Sequence, residues 1–150
     1  MKRYPLIMCL ILTTVLGTSC RKHQAETVSD DNPFFKEWDT PYGVPPFNEI
    51  QKSHYLPAFE EGIKQQREVI KEIVNNTEEP TFGNTIIPYE YSGELLNKVA
   101  AVFLNLVECC KDDEMKKLSD TIIPMLTKHE DDIMLNEKLF ARIKAVYEDQ

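Results

Sequence analysis

Apolar residues recur at steps of three and four along most of the chain beyond residue 57, the spacing of one face of an α-helix. Phe59, Ile63, Ile70, Ile73 and Val74 share such a stripe with Gln66, and Pro57, harmless in a first turn, marks its start; a helix is predicted over 57–75. The polar stretch NNTEEPTFGN breaks the pattern. A second helix is predicted over 85–109, with Leu95, Leu96, Val99, Val102, Phe103 and Leu106 inward and Thr85 as its N-cap. Pro88 falls in its first turn, where the missing N–H costs little, and Gly93 is a weak point at which it can bend. A third, over 113–135, carries Leu118, Ile122, Met125, Leu126 and Ile133 on one stripe, with Pro124 predicted to kink it. The fourth opens after Asn136 with Leu139, Phe140, Ile143, Val146 and Tyr147 in phase. It reaches Gln150 without a glycine cap or polar tail, which reads as a helical unit that continues. With no convincing strand, repeat or low-complexity tract, the fold class is all-α: about four amphipathic helices.

Ahead of the helices lie two segments of different character. The opening MKRYPLIMCLILTTVLGTSC has a basic start at Lys2 and Arg3, an apolar run from Leu6 to Leu16 and then small residues, the layout of an export signal. The run is short for a bilayer span, and nothing downstream approaches the ~20 apolar residues a span requires. Gly17, Thr18 and Ser19 lead into Cys20 in a way that resembles the lipobox of bacterial lipoproteins, and lipid on Cys20 is the expectation; the alternative is an ordinary cleaved signal beside an incidental cysteine. Residues 1–19 are thus read as signal, 20–31 as a flexible polar tether and 32–150 as the folded body, exported and held to a membrane facing the periplasm or the cell exterior. From Asn32 to Asn48 the text NPFFKEWDTPYGVPPFN is dense in proline and aromatics at irregular spacing, the mark of an extended leader that must lie across something else.

Charge and cysteine content narrow the partners. Seventeen Lys and Arg against 25 Asp and Glu leave a net charge of -8, with no basic stripe to neutralise phosphates, so nucleic acid is excluded as a partner. Removing the signal deletes two basic residues and no acid, which leaves the body more acidic still. Of four cysteines only Cys109 and Cys110 remain in the body once Cys9 and Cys20 are set aside. Neighbouring cysteines close only a strained bridge, and two small residues packed at a helix end is the reading preferred for them.

The segment KHEDDI, residues 128–133, begins the pattern of a helical zinc protease site, H-E-x-x-H, in which two imidazoles one turn apart grip the ion and the glutamate deprotonates its water. Here His129 and Glu130 start the pattern, but Ile133 occupies the second ligand position and cannot ligate. Asp132 is close enough along the helix to chelate with His129, yet a third ligand would have to come from His23 or His54. On the helical wheel His129 falls among Leu118, Ile122, Leu126 and Ile133, which predicts a core-edge histidine with one hydrogen-bonded nitrogen. There is no G-x-S-x-G and no glycine-rich phosphate loop. The pairs Glu60–Glu61 and Asp112–Asp113 read as solvated faces or helix starts, and Asn75–Thr77, though it matches a glycosylation pattern, as a helix terminus. No catalytic and no metal residue is assigned.

From residue 32 onward the chain resembles the front part of the peptidyl-dipeptidase branch of the thimet oligopeptidase (M3) zinc metallopeptidases. The residues that carry the likeness are NPFFKEWDTPYGVPPFNEI, HYLPAFEEGI, EPTFGNTI with SGELLNKV, and HEDDIMLNEKLFARIKAVY. Pro88 and the double cysteine depart from it. The resemblance implies a larger, mostly helical two-lobed enzyme whose zinc, held by H-E-x-x-H and a later glutamate, lies in chain outside these residues. It implies peptides as substrates, with dipeptides released from their C-termini. These residues would then form a non-catalytic segment beside the substrate channel. The competing reading is a stand-alone helical lipoprotein that holds peptides or a partner protein without catalysis.

Overall fold

The computed structural model describes residues 31–109 and 112–149. The signal, Cys20, nearly all of the tether and Cys110 lie outside the described residues. The helices are α1 (Tyr55–Asn75), α2 (Ile87–Tyr91), α3 (Glu94–Cys109), α4 (Asp113–Met134) and α5 (Glu137–Glu148), with no strand among the described residues. The all-α expectation holds, and the first, third and fourth predicted helices fall within about a turn of their observed limits.

The second predicted helix is corrected. A single helix over 85–109 was expected, with Thr85 as its cap. Instead a π-helical turn, Phe82–Ile86, leads into the short α2, and the chain breaks at Ser92 and Gly93 before α3 begins. Thr81 is the true N-cap: its side chain accepts from Asn84 N while Asn84 Oδ1 accepts from Thr81 N at 2.8 Å. Thr85 is wholly buried one turn further in. Pro88 starts α2, where its absent N–H is no loss. By contrast α4 runs unbroken through Pro124, its start fixed by Asp112, whose carboxylate accepts from Glu114 N and Met115 N.

Two apolar clusters hold the helices together. In the larger, an aromatic chain runs Phe34, Tyr55, Phe103, Phe59, with successive centroids 5.4, 5.1 and 5.3 Å apart and the last pair edge-on at 82°. Val99, Val102, Met115 and Ile122 close around it. The smaller joins Ile70 and Ile73 of α1 to Leu139 of α5. On α5 the prediction was too broad: Leu139 and Val146 are buried, but Phe140 and Tyr147 face outward, because each sits one residue, and so about 100°, further round the helix. α1 and α3 approach closely at Gly62, where an added Cβ would stand 3.1 Å from both Cα and N of Leu96.

The leader wraps its own helices. Phe34 is 1% exposed, Asn32 Nδ2 donates to the His54 carbonyl, and the Trp38 indole donates to the Pro33 carbonyl. Lys98 of α3 reaches across to donate to the carbonyls of Phe34 and Lys36 at 3.2 and 2.7 Å, with its Nζ 4.3 Å from the Trp38 ring. Further along, Tyr42, Val44 and Phe47 stay exposed. Replacing Lys98 by Met keeps the stem and deletes the staple. Trp38 is the sole tryptophan, so its emission should shift to the red and chymotrypsin should cut the leader faster; unchanged emission would remove Lys98 from this role.

Candidate functional site

A polar relay crosses the middle of the apolar body. Gln66 sits on the apolar stripe of α1, His129 on that of α4, and Ser92 at the break between α2 and α3. Gln66 Nε2 donates to Ser92 Oγ at 3.1 Å, and Ser92 Oγ donates to the Tyr89 carbonyl at 2.7 Å. Because the serine proton is committed to that carbonyl, Ser92 can only accept from Gln66, which fixes the amide's orientation. Gln66 Oε1, 2.8 Å from His129 Nε2, is therefore the acceptor, and the imidazole carries its proton on Nε2. Its other nitrogen, Nδ1, is buried with no hydrogen-bond partner among the described residues. Gly93 makes room for the relay: a Cβ there would lie 2.9 Å from Gln66 Nε2.

Hollows flank the relay on both sides. On the Ser92 side a groove of about 670 Å³ runs between the leader and α1, α2 and α3, with Lys36, Glu61, Tyr91 and Lys98 among its walls. On the His129 side a cavity of about 260 Å³ lies between α1 and the last turns of α4. Its polar wall is Arg67, Lys71, His129, Asp132 and Asn136. Arg67 and Lys128 both pair with Asp132, at 3.3 and 3.0 Å. Asn136 spends its oxygen capping α5.

Burial pushes the His129 imidazole below its ordinary 6.5; Arg67 pushes the same way and Asp132 opposes. A depressed histidine is neutral in the fold while the unfolded chain takes up a proton, so its stabilising share is full above about 6.5 and is lost as pH falls toward the folded value. The salt-bridged carboxylates Asp112 and Asp132 are depressed from 3.8 and lose theirs only at lower pH. Melting temperature should therefore fall first on going from pH 7 to 5, and His129→Gln should flatten that slope. An unaltered slope in the variant would assign it to other groups.

The near-match KHEDDI ends as the wheel predicted. His129 is 2% exposed and hydrogen-bonded through one nitrogen. The family implied for this chain uses zinc, but the donor set here does not fit it. Asp132 is held by two cations, Ile133 replaces the second histidine, and among the described residues no three His, Cys, Asp or Glu side chains gather. Glu60 is solvated, Glu61 accepts from Lys64 and Gln65, Asp112 caps α4, and Asn75 ends α1. Cys109 does end α3, but it is exposed rather than packed. The relay partners Gln66 and Ser92 were not singled out from sequence. The available signal was Gln66 itself, a polar residue in phase with five apolar ones.

No protein-family profile matches the chain. It is similar to the dipeptidyl carboxypeptidase of Escherichia coli (strain K12), 41% identical over 117 residues, which is 78% of this chain and 17% of that protein. It is 39% identical over 117 residues to the dipeptidyl carboxypeptidase of Salmonella typhimurium (strain LT2), with the same coverage. To oligopeptidase A of Haemophilus influenzae it is 26% identical over 87 residues, 58% of this chain and 13% of that one. The chain thus spans about one sixth of the length of the first two relatives.

Proposed function

We infer that this chain, a relative of the M3 peptidases on their peptidyl-dipeptidase branch, is the front, non-catalytic portion of an exported zinc peptidase that removes dipeptides from the C-termini of peptides. The observation that carries the reading is the 41% identity over 117 residues to a dipeptidyl carboxypeptidase. In this reading the helices form a wall beside the channel in which peptide lies, and the groove between the leader and α3 is the face with the size and mixed lining for extended chain. The zinc ligands and the general base belong to chain beyond these residues, since the motif that would hold the ion is interrupted at Ile133. Export and a lipid anchor on Cys20, tethering the body outside the cytoplasm, complete the proposal.

The test begins with metal and product. The 150-residue chain alone is expected to carry no stoichiometric zinc by elemental analysis and to release nothing from a blocked peptide. The product of a longer reading frame, read in the same frame past codon 150, is expected to bind zinc and release dipeptides. Tight zinc with dipeptide release by the short chain would defeat the assignment.

One observation favours a second reading, a stand-alone helical lipoprotein that binds peptide or protein. Both apolar clusters close within the chain, and the leader is pinned to its own helices. A verified stop codon together with a sharp cooperative melt would put that reading first. A gradual melt with dye-binding apolar surface would speak for a severed lobe.

A further inference from the structure

Between the leader and α3 lies a third hollow, of about 410 Å³, walled by Trp38, Pro45 and Phe47 on one side and by Ala101, Val102 and Leu106 on the other. The polar groups in its wall are already spent. Lys98 Nζ is committed to two leader carbonyls, and Asn105 Nδ2 donates to the Ala101 carbonyl at 2.6 Å. Such a wall suits an apolar occupant, because a polar one would lose its water without gaining partners. The leader side of the hollow continues a self-closed turn. Residues 40–48, TPYGVPPFN, carry no charge. Tyr42 and Gly43 both lie in the left-handed region, at φ 64° and 65°, and the turn is closed by Gly43 N donating to the Thr40 carbonyl and by the Thr40 hydroxyl donating to the Val44 carbonyl. Glycine adopts this conformation freely; tyrosine does not. A strained backbone held by its own hydrogen bonds thus presents Tyr42 fully to solvent, with Val44 and Phe47, each about half exposed, following it along the chain.

Charge and chain length select the occupant of this face. Glu37, Asp39 and Glu49 flank the uncharged run in sequence and the chain is net -8, so a second copy brought face to face, or a surface of anionic headgroups, is opposed. A neutral amphipathic surface is not. Tyrosine and tryptophan, apolar rings with a polar tip, settle at the headgroup level of a bilayer. The lipid expected on Cys20 brings a bilayer within reach: eleven residues, 21–31, separate Cys20 from Asn32 and span at most about 40 Å. They join the body beside this hollow, since Pro33 holds the Trp38 indole through its carbonyl. A contact too weak to hold the body alone is enough once the lipid keeps the surface close. We propose that the turn at residues 40–44 and the hollow behind it rest on the zwitterionic surface of the bilayer that carries the anchor, and so orient the body on the membrane. This rests on the anchor read at Cys20 and on no part of the peptidase reading.

The test uses the full chain, produced with its signal in a bacterial host, with lipid on Cys20 checked by mass spectrometry. It is reconstituted into phosphatidylcholine vesicles with or without brominated acyl chains, and Trp38, the sole tryptophan, is the reporter. Brominated lipid is expected to quench Trp38. The double variant Tyr42→Ser with Phe47→Ser, changed only at exposed side chains, should lose at least about half of that quenching while keeping its lipid and its melting temperature. Added anionic lipid should not strengthen the effect. A lipid-bearing chain whose Trp38 stays unquenched, equal quenching in the double variant, or quenching that needs anionic lipid would overturn the proposal and leave the anchor standing. A chain without lipid on Cys20 would overturn both. A doubled mass that the double variant returns to monomer would give the face to a second copy, and quenching lost in the product of the longer reading frame would give it to the additional chain; either result overturns the proposal.

Discussion

Phe103→Ala is expected to cost about 3–5 kcal/mol of unfolding free energy, the usual range for truncating a fully buried phenylalanine. The ring is the hub of the aromatic chain: it touches Tyr55 and Phe59 directly, at 5.1 and 5.3 Å, and Tyr55 in turn holds Phe34 of the leader. Removing it opens a cavity beside Tyr55 and Phe59, which cannot both collapse inward because each is fixed on α1. For a body of this size the loss corresponds to a fall of roughly 10–20 °C in melting temperature. Phe103→Leu, which keeps most of the volume, should lose clearly less. Equal losses for the two variants, or a change within about 1 kcal/mol for Ala, would mean that the cluster is not packed as described.

That cluster also indicates what could be read ahead of the structure. Helices whose stripe met the rest of the molecule along its whole length, α1 and α4, were legible in outline, since a 3.6-residue period and a cap at Asp112 are local properties. His129 was legible for the same reason: its place on the wheel decided between metal ligand and core histidine. The break at Ser92 and Gly93 was legible only as a weak point at Gly93, not as the end of one helix and the start of another. There the competing influence is tertiary, because Ser92 is held by Gln66 from another helix and Gly93 is crowded by the same amide. The leader's docking depends on Lys98, 62 residues beyond Lys36, and no local pattern announces a contact of that range. The relay was half visible, in that a glutamine on an apolar stripe asks for a partner, but the identity of that partner depends on how α1, α3 and α4 pack.

Gly62→Val is the second large effect, and it acts in the opposite sense, by excess rather than deficit. A Cβ at residue 62 already stands 3.1 Å from the Leu96 backbone, and backbone cannot rotate aside as a side-chain end would. Two further methyl groups must push α3 away from α1, and overpacking of this kind costs about 1–3 kcal/mol, more where the obstacle is main chain. Gly62→Ala should lose much less, because the better helix propensity of alanine, worth about 1 kcal/mol, offsets a displacement of a few tenths of an ångström. The functional consequence follows one turn further along α1, at Gln66. If α3 and the preceding Ser92 move outward, Gln66 loses Ser92 and its amide is free to turn, so the tautomer of His129 is no longer imposed. Gly62→Val should therefore lower stability and also release the Nε2-protonated tautomer of His129, read by nitrogen NMR of labelled histidine, more than Gly62→Ala does, although residue 62 touches neither Ser92 nor His129. Loss of stability with the tautomer unchanged would separate the α1–α3 contact from the relay and show that His129 is held by α1 and α4 alone.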